Sequence, residues 1–318
     1  CIGCNQGCLG GLMQGRIGCT VNVAAGNELY LGDDFIEEAD PPRSILVVGG
    51  GPSGMEAARV AALRGHRVTI AEAQAFLGGT LRVAQLAPKH DNIGAIADWL
   101  ETEIERLGVE VQLNTLVDLE LIRERKPDAV ILAAGATPRK GGLSQQQSET
   151  EIEGVDQDHV LSTWELFTSR HNQIGETALV FDDVGAYEAI GAAEFLIENG
   201  ASVTFVTSQA SFAPLMEAPL VAKPALDRLE SSGRFTLIKR GVLRRIGKDE
   251  VEIGSLEGWP STTAPAEQVV LVNKHRPNND LAGELEQAGI QVKVIGDAGS
   301  GSLLPNAFME GHRAGSTV

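Results

Sequence analysis

The sequence predicts an α/β protein. It reads as two Rossmann-like nucleotide-binding domains, the second inserted in the first, with a cysteine-rich loop segment in front of both. Three observations predict it. An apolar run at 45–48 leads through Gly49-x-Gly51-x-x-Gly54 into an Ala-rich helix with no breaker until Gly65, and then into the strand "HRVTIAEA". The same strand–turn–helix–strand layout returns between 178 and 207. Near the end, "VKVIGDAG" is a strand into Gly296-Asp297 followed by a helix, and it fits the first unit. The expected division is 1–42 for the cysteine segment, 43–155 with 285–318 for the first domain, and 156–284 for the inserted one.

Composition agrees. The chain has 318 residues, about two domains at roughly 100–200 residues each. Aromatics are only 4% against 43% hydrophobic residues, so the core must be mostly Ala, Val, Ile and Leu. No apolar run reaches the ~20 residues of a membrane span, and no signal segment opens the chain, so a cytoplasmic location is expected. A formal charge of −17 argues against nucleic acid and anionic membranes as partners. It serves solubility, or docking of a basic partner. The chain starts on Cys1 rather than Met and reads as a piece of a longer one.

All four cysteines, Cys1, Cys4, Cys8 and Cys19, lie in the first 19 residues. A disulfide framework would leave the rest unstapled. Zinc usually takes two C-x2-4-C knuckles, which the close triplet fits poorly. A [4Fe–4S] cluster suits three thiolates on one tight loop and a fourth beyond a turn, with Gly3, Gly7, Gly10 and Gly11 letting the loop wrap closely. All three remain possible on spacing, with the cluster favoured.

In the first domain, strand, glycines, helix, strand and terminal acid come in the order of a dinucleotide fingerprint. Gly49 makes the tight turn, Gly51 lets a pyrophosphate approach, and Gly54 lets helix and sheet pack. Pro52 and Ser53 open the helix whose N-terminus would hold the phosphates. Glu72, 18 residues after Gly54, would accept from ribose hydroxyls and repel a 2′-phosphate, with Ala73 beside it. In the second domain the turn reads Asp182-Asp183-Val184-Gly185-Ala186-Tyr187-Glu188-Ala189. Val184, Ala186 and Ala189 stand where the glycines belong, and two aspartates flank the helix start. This domain is expected to have lost its nucleotide. The stretch 143–158 reads as a polar link, 256–268 as a hairpin tip or loop, and 207–233 as a loop with a Pro-broken helix. Phe212 and Met216 read as core residues, with a place beside the first domain's nucleotide as the alternative. The histidines form no metal-ligand pair.

"CIGCNQGC", "GCTVN" and "GNE" resemble the iron–sulfur segment of the trimethylamine dehydrogenase and 2,4-dienoyl-CoA reductase family. "FLGGTLRVAQLAP" resembles the Gly-Gly loop that lies against the cofactor in such flavoproteins, and "PDAVILAAGATPR" their crossing segment. The resemblance implies glutathione-reductase-type domains, a cluster on the four cysteines, and FAD or ADP in the first domain. Gly79, Ala134, Gly135, Gly296 and Asp297 would join the nucleotide site, Asp297 at the ribityl or ribose hydroxyls. It also implies a preceding barrel with FMN and the substrate pocket, so no catalytic residue is assigned in this chain. "DDVGAY" and "AFMEGHRAG" look more like the amine dehydrogenases than the reductase. The implied function is the electron-transfer half of a dehydrogenase of small N-methylated amines or related substrates. Electrons would pass through the cluster to an electron-transfer flavoprotein or ferredoxin, and a homo-oligomer is expected. The alternatives are an NAD(P)H-dependent enoate or dienoyl-CoA reductase and a non-enzymatic assembly module.

Overall fold

The computed structural model describes residues 1–140, 152–169, 174–300 and 303–318. Most of the expected polar link, residues 143–151, lies outside the described residues, as do Gly301 and Ser302. The chain divides into two compact units. The first is Cys1–Gln85, Asp91–Thr137 and Pro277–Val318; the second is Leu86–His90 and Pro138–Arg276.

The first unit is built on a parallel sheet. Its strands run Val292–Val294, Ala129–Leu132, Ser44–Val48, Arg67–Ala71 and Glu110–Gln112 from edge to edge. "SILVV" has no polar alternation because a central parallel strand is covered on both faces. Ile45 and Val47 point into one core with Ile70, Ile131 and the helices Pro52–Leu63, Gly94–Arg106 and Leu304–Ser316. Leu46 and Val48 point into the other, with Val130, Leu132, Ile122 and Leu285. Two glycines set the helix contact: a Cβ at Gly311 would lie 2.4 Å from the Ser53 carbonyl oxygen, and one at Gly315 2.5 Å from that of Ala57.

The second unit has its own parallel sheet, ordered Val160–Ser162, Gln268–Val272, Thr177–Asp182, Ser202–Thr207 and Phe235–Lys239. Helices Thr163–Thr168, Tyr187–Glu198 and Ala222–Ser231 belong with one face. An antiparallel three-stranded sheet, Gly241–Ile246, Glu250–Ser255 and Thr262–Pro265, covers the other, where Phe181, Val206, Val251 and Leu271 share a core. Residues 256–261 are the hairpin tip. Pro224 does not break its helix. It is the third residue of Ala222–Ser231, where a missing N–H costs nothing. Phe212 and Met216 are buried in this unit's own core.

The unit boundaries differ from the sequence expectation, and packing explains the difference. Ile152 and Val155 join the core of the second unit. Helix Asp280–Gln287 belongs to the first unit, through Ala282 and Leu285. The cysteine segment is not separate: Val23 sits in the first unit's core, with Ile2, Val21 and Leu31 packed on it.

Candidate functional site

The glycine turn of the first unit is shaped by close backbone approaches. Gly49 has φ +105, and a Cβ there would lie 2.4 Å from the Ala133 carbonyl oxygen and 3.1 Å from Ala134 Cα. A Cβ at Gly54 would lie 2.0 Å from the Gly49 carbonyl oxygen. Both positions exclude a side chain for structural reasons alone. Gly51 is different. It is the N-cap of helix Pro52–Leu63, its backbone is extended, and nothing lies within 4 Å of a Cβ built on it. The first turn of this helix carries no acid. The open space therefore faces the positive end of a twelve-residue helix.

Other expected residues gather around this point. Glu72 is buried, and its Oε2 accepts from the Gly50 N–H at 2.6 Å and its Oε1 from the Gln74 N–H at 2.7 Å. Each oxygen keeps acceptor capacity for a further hydroxyl. Gly78 and Gly79 both have positive φ; the Gly78 N–H donates to the Gly50 carbonyl at 2.8 Å, and a Cβ at Gly79 would lie 3.1 Å from Gly51 Cα. Gly296, φ +63, leaves only 2.5 Å between a built Cβ and Ser53 Oγ, and its N–H donates to Glu310 at 2.7 Å. Asp297 follows it in a half-buried single turn. Ala73 is exposed next to Glu72. Ala134 and Gly135 are held by Asn278, whose Nδ2 donates to the Ala134 carbonyl and whose N–H donates to that of Gly135, each at 3.0 Å. Gly50, Gln74, Asn278 and Glu310 were not singled out from sequence, whereas Gly78 was, as part of the Gly-Gly loop. The neighbouring motif marked the glycines, whereas nothing local marks Glu310, 14 residues beyond its partner.

The corresponding turn of the second unit is closed. Ala186 is the N-cap of helix Tyr187–Glu198, as Gly51 is of its own helix, which puts Val184 and Ala189 level with Gly49 and Gly54. Positive φ falls on Gly185 instead, one position later in this frame, at +79. Asp182 Oδ1 accepts from the N–H groups of Val184 and Gly185 at 3.1 and 2.7 Å. A Cβ at Gly185 would lie 2.8 Å from Pro214, so the segment after the next strand covers the turn. Asp183 accepts from Ser208 Oγ at 2.7 Å. The two aspartates thus act first by taking up turn donors and neighbouring hydroxyls, not by facing a ligand with bare charge.

Burial pushes the Asp182 carboxyl up to about 6, against the pull of the Gly185 and Val184 N–H groups and the Thr207 hydroxyl. Its folded value lies above its unfolded one, near 3.8. Ionisation therefore weighs on the folded state above pH 6, and that weight is relieved as pH falls from 6 toward 4. It amounts to about 3 kcal/mol on an order-of-magnitude conversion. Asp182→Asn keeps an oxygen for the two N–H groups and removes the charge. The variant should gain about 1–3 kcal/mol at pH 7.5 and nothing at pH 4. Hydrogen exchange across 177–198 at the two pH values measures the difference, and equal gains at both would refute the assignment.

The four cysteines are free thiols; Cys1, Cys8 and Cys19 are exposed and Cys4 is half-buried. Gly7 presses the loop onto the last of them: a Cβ there would lie 2.7 Å from the Cys19 carbonyl carbon. That close approach and the all-thiol donor set fit a cluster. Among the described residues no group of three His, Cys, Asp or Glu side chains is drawn together as metal ligands would be. The sulfurs turn to local partners instead. Cys4 Sγ lies 3.1 Å from Thr20 Oγ1, and the Gly3 N–H donates to Cys1 Sγ at 3.4 Å.

Residues 20–163 match the family of pyridine nucleotide-disulphide oxidoreductases. They span the Gly49–Gly54 turn, Glu72 and the crossing at Gly135. The fold is that of the pyridine nucleotide-disulphide oxidoreductases. Similar proteins extend the likeness over most or all of the chain. An NADH oxidase of Thermoanaerobacter brockii is 34% identical over 307 residues, 94% of this chain and 44% of its own. A probable N-methylproline demethylase of Rhizobium meliloti is 35% identical over 289 residues, 90% of this chain and 41% of its own. Among solved structures, the 6-hydroxypseudooxynicotine amine oxidase of Pseudomonas geniculata superposes with a TM-score of 0.91 at 28% identity, covering 100% of this chain and 48% of its own. The chain thus spans about half the length of the relatives it matches. Among the described residues no helix is long and apolar enough to cross a membrane.

Proposed function

We propose that this chain is the electron-handling half of an iron–sulfur flavoprotein oxidoreductase that oxidises small N-methylated amines or related substrates and delivers the electrons to a carrier protein. The contrast between the two helix N-termini carries the reading. One is open at Gly51, free of acid in its first turn and flanked by Glu72; the other is closed by Asp182 and Pro214. An enzyme fed by NADH or NADPH needs the second site, and one fed by an organic substrate does not. The likeness to a demethylase and an amine oxidase, both acting on amines by name, supports the same direction.

FAD or ADP in the first unit would lay its pyrophosphate against Gly51–Gly54 and its ribose on Glu72. Asp297 would accept from ribityl or ribose hydroxyls. Cys1, Cys4, Cys8 and Cys19 would hold a [4Fe–4S] cluster. When bound, these groups and an FMN in a preceding barrel supply substrate oxidation and one-electron transfer. Within this chain, Glu72 selects ribose by accepting hydrogen bonds from its hydroxyls and turns away a 2′-phosphate by charge. Closing the second turn removes the N–H donors a second dinucleotide would use. The acidic surface, −17 over the chain, suits docking of a basic face on an electron-transfer flavoprotein or ferredoxin.

The second reading, an NADH-driven reductase of enoates, is favoured by the likeness to an NADH oxidase. Titration calorimetry with NADH and NADPH, followed by anaerobic mixing with the flavin-loaded protein, separates the two. The dehydrogenase reading expects no binding at submillimolar concentration and no flavin bleaching. Micromolar binding with rapid bleaching by either nucleotide would establish the reductase instead.

A further inference from the structure

The Leu77–Gly79 loop forms one wall of the open space at Gly51, and the Leu77 side chain is buried in the first unit's core. Behind it lies an open cleft of about 530 Å³, lined by Phe76, Leu77, Arg82, Glu101, Val111 and Leu113. Phe76, Val111 and Leu113 are themselves exposed. Polar contacts fix the loop's backbone in addition. Arg82, the third residue of the following helix Thr80–Ala84, reaches back, and its Nε donates to the Leu77 carbonyl oxygen at 3.1 Å. The other arms of the same guanidinium reach across to helix Gly94–Arg106, with Nη1 2.7 Å from Asp98 and Nη2 2.7 Å from Glu101. The planar fork satisfies three acceptors at once, a geometry that a lysine cannot reproduce. A Cβ built on Gly78 would lie 2.9 Å from Arg82 Nε, so the loop and the guanidinium are in direct contact. On its inner side the loop meets the glycine turn through Gly78 and Gly79.

We propose that Arg82 is a positioning residue that latches the Leu77–Gly79 loop against the phosphate space at Gly51, and so sets how long a bound dinucleotide stays. The proposal rests on the nucleotide placement given under Proposed function. For a pyrophosphate to leave past this wall, the loop must swing outward into the cleft. Arg82 resists that swing by anchoring the Leu77 carbonyl to a rigid thirteen-residue helix through Asp98 and Glu101. The latch acts on release and much less on entry, because an open loop still presents Gly51 and the helix N-terminus. Arg82 itself touches none of the glycines' donors, so its loss should leave the bound geometry intact.

The test measures the rate of FAD release from the full chain, by recovery of flavin fluorescence on dilution, for the parent, Arg82→Met and Arg82→Lys. Release should quicken about tenfold or more in Arg82→Met. Arg82→Lys should fall between, since an ammonium can reach one carboxylate but cannot also hold the loop. The association rate should change by less than threefold. Asp98→Asn combined with Glu101→Gln frees the guanidinium from its helix while keeping Arg82, and should quicken release even if Arg82→Met folds poorly. Release within twofold of the parent in the folded variants overturns the latch. A parent that holds neither FAD nor ADP refutes the nucleotide placement itself, an outcome visible before any variant is made.

Discussion

Replacing Gly51 by valine should leave the chain folded and empty its first nucleotide site. The two halves of that expectation come from one observation. Nothing lies within 4 Å of a Cβ at Gly51, and its backbone is extended, so no left-handed conformation is lost. The neighbouring glycines offer no such separation. A side chain at Gly54 would meet the Gly49 carbonyl at 2.0 Å and disturb the turn itself. At Gly51 the valine branches would stand only in the space that a pyrophosphate needs to reach the helix N-terminus. Losing two charge-assisted hydrogen bonds of about 1.5–3 kcal/mol each weakens retention by ~100-fold or more. Purified parent and variant would be denatured and their released nucleotide quantified, with circular dichroism confirming the fold. Stoichiometric FAD or ADP in the folded variant would show that the phosphates bind elsewhere.

That site was legible because its chemistry is local. The strand, three glycines, helix and Glu72 lie within one stretch of the chain, and the structure brings them to one turn. The loss of glycines at Val184, Ala186 and Ala189 was equally plain. How the second turn closes was not. Asp182 read as a charge beside a helix, whereas it folds back on the Val184 and Gly185 N–H groups, and Pro214 arrives from a segment some 30 residues on. Unit boundaries were misjudged for a related reason. The polarity of 143–158 suggested a link, but it contains the apolar Ile152 and Val155, and they are buried. The cysteines show the opposite limit. Their spacing gave the expectation of a shared ligand, and the fold brings Gly7 onto Cys19 without drawing three sulfurs together. Least legible was the charge buried between helices Pro52–Leu63 and Leu304–Ser316 of the first unit. Glu56 and Arg59 look like an ordinary surface pair on "GMEAARVAAL", and their third partner is 256 residues away.

Glu56→Ala should therefore be among the most damaging single changes in the first unit. Its Oε2 accepts from Arg59 Nε at 2.9 Å, its Oε1 from Arg59 Nη2 at 3.0 Å, and His312 Nδ1 lies 3.1 Å from the same Oε1. Glu56, Arg59 and His312 are all nearly inaccessible to solvent. The far side of the guanidinium forks onto Asp33 at 2.9 and 3.2 Å, and Trp99 lies 5.8 Å from it. Removing the glutamate leaves Arg59 with one half-exposed carboxylate and a buried cation facing a void. Breaking a buried pair from one side costs about 3–5 kcal/mol, whereas the intact pair contributes far less. Glu56→Gln retains an acceptor and should cost roughly half as much. Because the chain has two units, a single unfolding midpoint would mix them. Hydrogen exchange over 52–63 and 304–316 isolates the effect, and protection there should fall by about two decades in Glu56→Ala. Asp33 lies in the cysteine-bearing segment and Arg59 on the helix that begins at the nucleotide turn. The same variant should therefore raise exchange at 28–35 as well. Loosened helices with unchanged exchange at 28–35 would mean that the segment is held by Val23 and its apolar neighbours and not by this charge.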